Sequence, residues 1–187
     1  MTIPRCSALL PILALAGCGF GTNDEPFSLN DGDALPTTAG VYSCAYYDDA
    51  GNRDAQPVEW RLVALPVNKK LRYVVIDEAK QSAVLATLHR AKGNLYVVAF
   101  AGSDRPGEGL YLAEFLKGND EFRGYDEGAD LEARAHTLAR ARGVTIARPQ
   151  HSGDELGGPV EAQRAFILEM ASGLRGWRLS ADCRLKG

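Results

Sequence analysis

Between residues 41 and 116 six short apolar runs follow one another, separated only by turn residues and never by helical spacing. They are Val41–Tyr47, Trp60–Leu65, Leu71–Ile76, Ala83–Leu88, Leu95–Ala101 and Leu110–Leu116. Asp48–Asn52, Pro66–Asn68, Gly93–Asn94 and Gly102–Gly107 supply the turns. Runs this close in sequence pair antiparallel, because a parallel pair needs a crossover of a dozen or more residues. Leu95–Ala101 constrains the fold most. Leu95, Val97 and Ala99 point one way, and Tyr96, Val98 and Phe100 the other. A strand apolar on both faces needs a layer on each side.

The C-terminal part supplies one of those layers. Asp130–Arg142 carries Leu131, Ala135, Leu138 and Ala139 at helical spacing, with Asp130 as N-cap and Gly143 as stop. A second helix runs from about Pro159 to Ser172, with Phe166, Ile167, Met170 and Leu174 as its apolar stripe. Val144–Ala147 is a short strand between the helices, and Trp177–Arg184 a closing strand. Two helices can cover one face of the sheet, so the other face must bend onto itself. The expected fold is α+β: a bent antiparallel meander sheet or incomplete barrel of about six to seven strands, with two C-terminal helices packed on it.

The N-terminus speaks about location. An apolar stretch from Cys6 to Leu15, with Arg5 before it, runs into Leu15-Ala16-Gly17-Cys18. About ten apolar residues cannot span ~30 Å of hydrocarbon as a helix, and a small-residue site after such a run reads as a removable export signal. The four residues have the lipobox form, a branched apolar residue, two small ones and a cysteine. In this the chain resembles the bacterial lipoprotein class. The resemblance implies cleavage between Gly17 and Cys18, acylation of the Cys18 thiol, and attachment to a membrane of the cell envelope through lipid. At ~0.8 kcal/mol per buried CH₂, two or three acyl chains hold where one would not. Gly19 in place of Asp favours the outer membrane over the inner, with the domain facing the periplasm or the cell surface. An ordinary signal peptide with a chance cysteine, or a buried N-terminal helix, is the plainer alternative.

Three segments follow: residues 1–17 as a removed signal peptide, 18–39 as a flexible tether rich in Gly, Pro and short polar residues, and 40–187 as a single globular domain. Within the tether Phe20, Phe27, Leu29 and Leu35 are too sparse to offset roughly 1–2 kcal/mol of ordering per residue. Cys6 leaves with the signal and Cys18 takes lipid, so Cys44 and Cys183 remain in an oxidising compartment. They are expected to form a disulfide between the first and last strands. A free buried thiol pair or a metal site is the rival, and no His stands near either residue.

Chemistry is sparse in the sequence. Removing residues 1–17 takes Arg5 alone from 21 basic residues, leaving 20 against 24 acidic and a net charge of −4. That balance carries no nucleic-acid footprint. His89, His136 and His151 have no His or Cys at metal spacing, so neither a metal nor a cofactor is expected. No Gly-x-Ser-x-Gly elbow occurs, and no catalytic residue is assigned. Ser103-Asp104 reads as turn chemistry, and His151-Ser152-Gly153-Asp154 as a polar connector. Asp48 to Asp54 lacks the alternating ligands of a calcium loop and reads as a hairpin turn. Arg134, His136, Arg140, Arg142 and Arg148 make the first helix basic, a face that could meet anionic lipid but is interleaved with Glu127, Asp130 and Glu132. Tyr42, Cys44 and Tyr46 share one face of the first strand and could line a ligand site.

The expected function is therefore a lipid-anchored, non-catalytic envelope lipoprotein that binds a protein or another envelope component. A small-ligand carrier with a Tyr-lined pocket and an unrecognised hydrolase are the alternatives. A deep apolar pocket between sheet and helices would mark the carrier.

Overall fold

The computed structural model describes residues 20–22, 24, 26–27, 32–33, 39–48, 50–67, 70–101, 108–116, 120–147 and 155–187. The lipobox, Ser103-Asp104, Arg148 and 151–154 lie outside the described residues.

The elements in chain order are β1 (Phe20–Thr22), β2 (Gly40–Tyr46), β3 (Val58–Val67), β4 (Lys70–Asp77), β5 (Ser82–Lys92), β6 (Leu95–Ala101), β7 (Glu108–Phe115), β8 (Glu121–Glu127), α1 (Ala129–Arg142), β9 (Thr145–Ala147), β10 (Glu155–Gly157), α2 (Val160–Met170) and β11 (Trp177–Leu185). Strands β2 to β8 form an antiparallel meander, and β11 pairs antiparallel with both β8 and β2. Eight strands thus close into a barrel, and the incomplete barrel expected from sequence is corrected to a complete one. The barrel strand absent from the sequence reading is β8, the one that bridges β7 to β11; the short β1 and β10 outside the barrel were not expected either. Its sequence, Glu-Phe-Arg-Gly-Tyr-Asp-Glu, looks like a polar loop. Alternation rescues it as a strand: Phe122 and Gly124 line the barrel interior, while Tyr125 packs outside among the helix-facing residues.

The two-faced reading of β6 holds. Leu95, Val97 and Ala99 join Leu110 and Leu112 of β7 in an outer core beneath Leu131, Ala135 and Ala139 of α1 and Phe166, Ile167 and Met170 of α2. Tyr96, Val98 and Phe100 turn into the barrel with Tyr73, Ala86, Leu88 and Phe115. Gly143 ends α1 in the left-handed conformation (φ 70°) and bonds back to the last turn. No Asp130 side-chain cap forms; Gly128 holds the N-cap position. Arg142 pairs with Glu169 and ties α1 to α2.

The tether expectation fails for the described residues of 18–39. β7 gives one edge to two neighbours: β8 pairs with residues 112–115, and β1 pairs antiparallel with 108–110. β1 pairs on its other side with β10, in parallel. Phe20 and Phe27 are 2% and 0% exposed. Phe20 meets Phe166 edge-on at 5.4 Å, and Phe27 lies 4.7 Å from the His89 ring with the Arg164 guanidinium over its face. Buried Gln163 accepts from Thr22 Oγ1 and donates to Asp24 Oδ2 and the Gly158 carbonyl. Farther on, the Asp33 N–H donates to the Leu88 carbonyl, and its carboxylate accepts from the Arg90 N–H. Few apolar residues suffice here because strand pairing meets the backbone's hydrogen-bonding needs while two aromatic rings are fully buried. Phe20–Thr22 and Phe27 therefore belong to the globular body, which was expected to begin at residue 40.

Candidate functional site

The barrel interior holds a cavity of about 90 Å³ to which all eight barrel strands contribute. Its wall includes Tyr42, Trp60, Leu62, Tyr73, Val75, Ala86, Leu88, Val98, Phe100, Tyr111, Ala113, Phe115, Phe122, Gly124, Ser180 and Ala181. An eight-stranded barrel is just wide enough either to be filled by its own side chains or to hold one small ligand. Three alanines and a glycine on the inner face, Ala86, Ala113, Ala181 and Gly124, decide between these outcomes by withholding volume. Between barrel and helices, where a deep pocket would have marked the carrier, the described residues Phe20, Leu110, Ile167 and Met170 leave a gap of about 10 Å³.

Aromatic side chains frame the cavity. Tyr42 lies 5.3 Å from Phe122, and Tyr96 meets Phe115 edge-on at 5.4 Å. Burial, followed by the nearby Asp120 and Tyr73, pushes the Tyr42 hydroxyl up to about 12. Burial, then the nearby Asp77, also raises that of Tyr46. Tyr42, Cys44 and Tyr46 do share the inward face, as their spacing implied, and all pack in one cluster with Trp60 and Ala181. No Asp, Glu, Lys, Arg or His is among the described lining residues.

Ser180 adds an aliphatic hydroxyl to a lining whose other hydroxyls are those of tyrosines. It is 5% exposed, and its Oγ is buried without a hydrogen-bond partner among the described residues. The Tyr125 hydroxyl, by contrast, donates to Glu114 Oε2 at 2.7 Å. Nothing in the sequence singles out Ser180, because its orientation comes from a register shift between β11 and β8 at Leu179/Ala181.

The other sequence candidates lie elsewhere. Cys44 and Cys183 form a disulfide, joining β2 to β11. His89 is buried on the outer core side, 3.0 Å from Thr87 Oγ1 and covered by Phe27. His136 stands exposed on α1, 4.0 Å from Glu132. Among the described residues no three His, Cys, Asp or Glu side chains gather as a metal site. Asp48 closes a hairpin turn: its carboxylate accepts from the Ala50 and Asn52 N–H groups and the Asn52 amide, which hold it below the usual carboxylate range. Asp49, within the same run, lies outside the described residues. The basic side chains of α1 are partly engaged at α2, with Arg134 donating to the Glu169 and Arg175 carbonyls. Exposed large apolar side chains among the described residues are Leu65 and Val160, on different elements. Among the described residues no helix is long and apolar enough to cross a membrane.

The chain matches no protein-family model, no curated protein and no solved structure.

Proposed function

We propose that this chain is a lipid-anchored envelope lipoprotein whose barrel binds a small neutral apolar molecule. The anchor rests on Leu15-Ala16-Gly17-Cys18. The binding role rests on one observation, the 90 Å³ cavity walled by aromatic and aliphatic side chains. Water gains little there, since a water molecule needs two to four polar partners, and apolar cavities stay dry. The size bounds the ligand. An engineered apolar cavity of about 150 Å³ accepts benzene, so this one takes a body of roughly three or four carbons. Pockets for drug-sized ligands run to about 300 Å³ or more. The carrier alternative therefore moves ahead of binding through a surface patch, for which Leu65 and Val160 offer no contiguous area.

Isobutane dissolved under pressure tests the cavity. Methyl resonances of Leu62, Leu88 and Val98 should shift saturably with gas concentration. Ala86→Leu, which fills about the missing volume, should abolish the shifts and leave the chain folded. Unsaturable shifts, or shifts unaffected by Ala86→Leu, would overturn the reading. For the anchor, intact mass spectrometry of native protein should show acylated Cys18, and Cys18→Ser should release the chain from membranes.

A further inference from the structure

We infer that the ligand of the barrel cavity carries one neutral hydrogen-bonding group, an alcohol or carbonyl, and that Ser180 Oγ is the group that orients it. The inference rests on the binding role proposed above and refines the class of ligand.

The first observation is the aim of the side chain. In a regular strand successive residues face opposite ways. Here Ser180 Oγ and Ala181 Cβ lie 3.6 and 3.5 Å from where a Cβ on inward-facing Gly124 would stand, so both aim to the same side, and β11 slips against β8 between Leu179 and Ala181. Leu179 faces the outer core, Ser180 and Ala181 both face inward, and Cys183 again lies inside with Cys44. Bulges of this kind re-aim single side chains. The backbone there is well held, since the Ser180 carbonyl accepts from the Tyr47 N–H at 3.0 Å.

The second observation is the hydroxyl itself. It is buried, lines the cavity and has no hydrogen-bond partner among the described residues. Buried hydroxyls are nearly always satisfied, so an orphan in a ligand-sized space points to a partner that arrives with the ligand. The third is the space beside it. Gly124 faces Ala181 across the β8–β11 pair, and a Cβ at Gly124 would stand 3.6 Å from Ser180 Oγ. Its absence leaves a niche next to the hydroxyl. Finally, the described lining offers no ionisable partner of opposite sign, and burying an ion without one is prohibitive. The ligand is therefore neutral, which excludes carboxylates and amines in their charged forms.

tert-Butanol and isobutane share a carbon skeleton and differ by one hydroxyl, which isolates the role of Ser180. Titration of the purified mature chain by methyl NMR should show both binding in the cavity. Ser180→Ala should weaken tert-butanol about 3- to 10-fold, the net worth of a neutral hydrogen bond, and leave isobutane unchanged. Gly124→Ala keeps the hydroxyl but occupies the niche, and should weaken tert-butanol more than isobutane. If both molecules bind and Ser180→Ala affects them equally or not at all, the role of Ser180 is overturned while the cavity reading stands. If neither binds the wild-type chain, the cavity reading itself falls.

Discussion

Cys44 and Cys183 sit directly opposite each other on β2 and β11, with Cα atoms 4.0 Å apart, across the seam where the barrel's first strand meets its last. The bridge joins residues 139 positions apart. It fixes in the unfolded chain the same long-range pairing that barrel closure requires. In the chain-entropy description a loop of this length contributes roughly 4–5 kcal/mol, less where other effects oppose it. The Cys44→Ser/Cys183→Ser double variant is expected to unfold roughly 10 °C lower by calorimetry under non-reducing conditions. A midpoint within about 2 °C of wild type would show that the strand pairing needs no covalent help.

The N-terminal segment should prove integral to the body. A chain beginning at Ala39 loses the buried rings of Phe20 and Phe27 together with the β1 pairings to β7 and β10. Its urea midpoint should fall well below that of a chain beginning at Gly19. The single change Phe20→Ala should cost about 3–5 kcal/mol, the usual range for a fully buried aromatic. Equal midpoints for the two truncations would restore the tether reading.

Gln163 is the polar counterpart of those rings. It is fully buried and binds Thr22, Asp24 and the Gly158 carbonyl at once. Gln163→Leu strands the Thr22 hydroxyl and the carbonyl, at a cost of about 1–3 kcal/mol. Amide exchange should report the loss first at residues 20–22, ahead of global unfolding.

Alkaline pH should destabilise the chain through its tyrosines. Tyr42 is pushed up to about 12 by burial, then by Asp120 and Tyr73. Tyr125 is also pushed up to about 12, by burial and then by its hydrogen bond to Glu114. Tyr46 is raised as well, chiefly by burial. An unfolded phenol ionises near 10, so from there up to about 12 the unfolded chain releases protons that the folded chain keeps. The stabilisation is whole below pH 10 and drains away as pH rises through 12. Denaturant midpoints should be flat from pH 8 to 9.5 and drop above 10, in step with tyrosinate absorbance on unfolding.

How much of this was legible in the sequence differs from element to element. The alternation in Leu95–Ala101 announced two layers around β6, and both exist. The cysteine pairing was legible by elimination, on the expectation that Cys6 leaves with a signal peptide and Cys18 carries lipid. β8 was not, because four of its seven residues are charged and only Phe122 and Gly124 betray its inner face. Nor were Phe20 and Phe27, whose burial depends on β7 having a free half-edge. Ser180 was hidden most deeply. A bulge is a property of two strands in register, and a single strand's sequence carries no sign of it.

The shared edge of β7 also sets how the molecule would stand on a bilayer. With Cys18 acylated as proposed, Gly19 alone separates the anchor from Phe20, which is locked into the sheet beside α2. One or two residues span at most ~7 Å. A twenty-residue leash would let the barrel tumble freely above the headgroups. Under that proposal the stub would act as a short mooring, pinning the β1 flank against the membrane and giving the barrel a fixed heading.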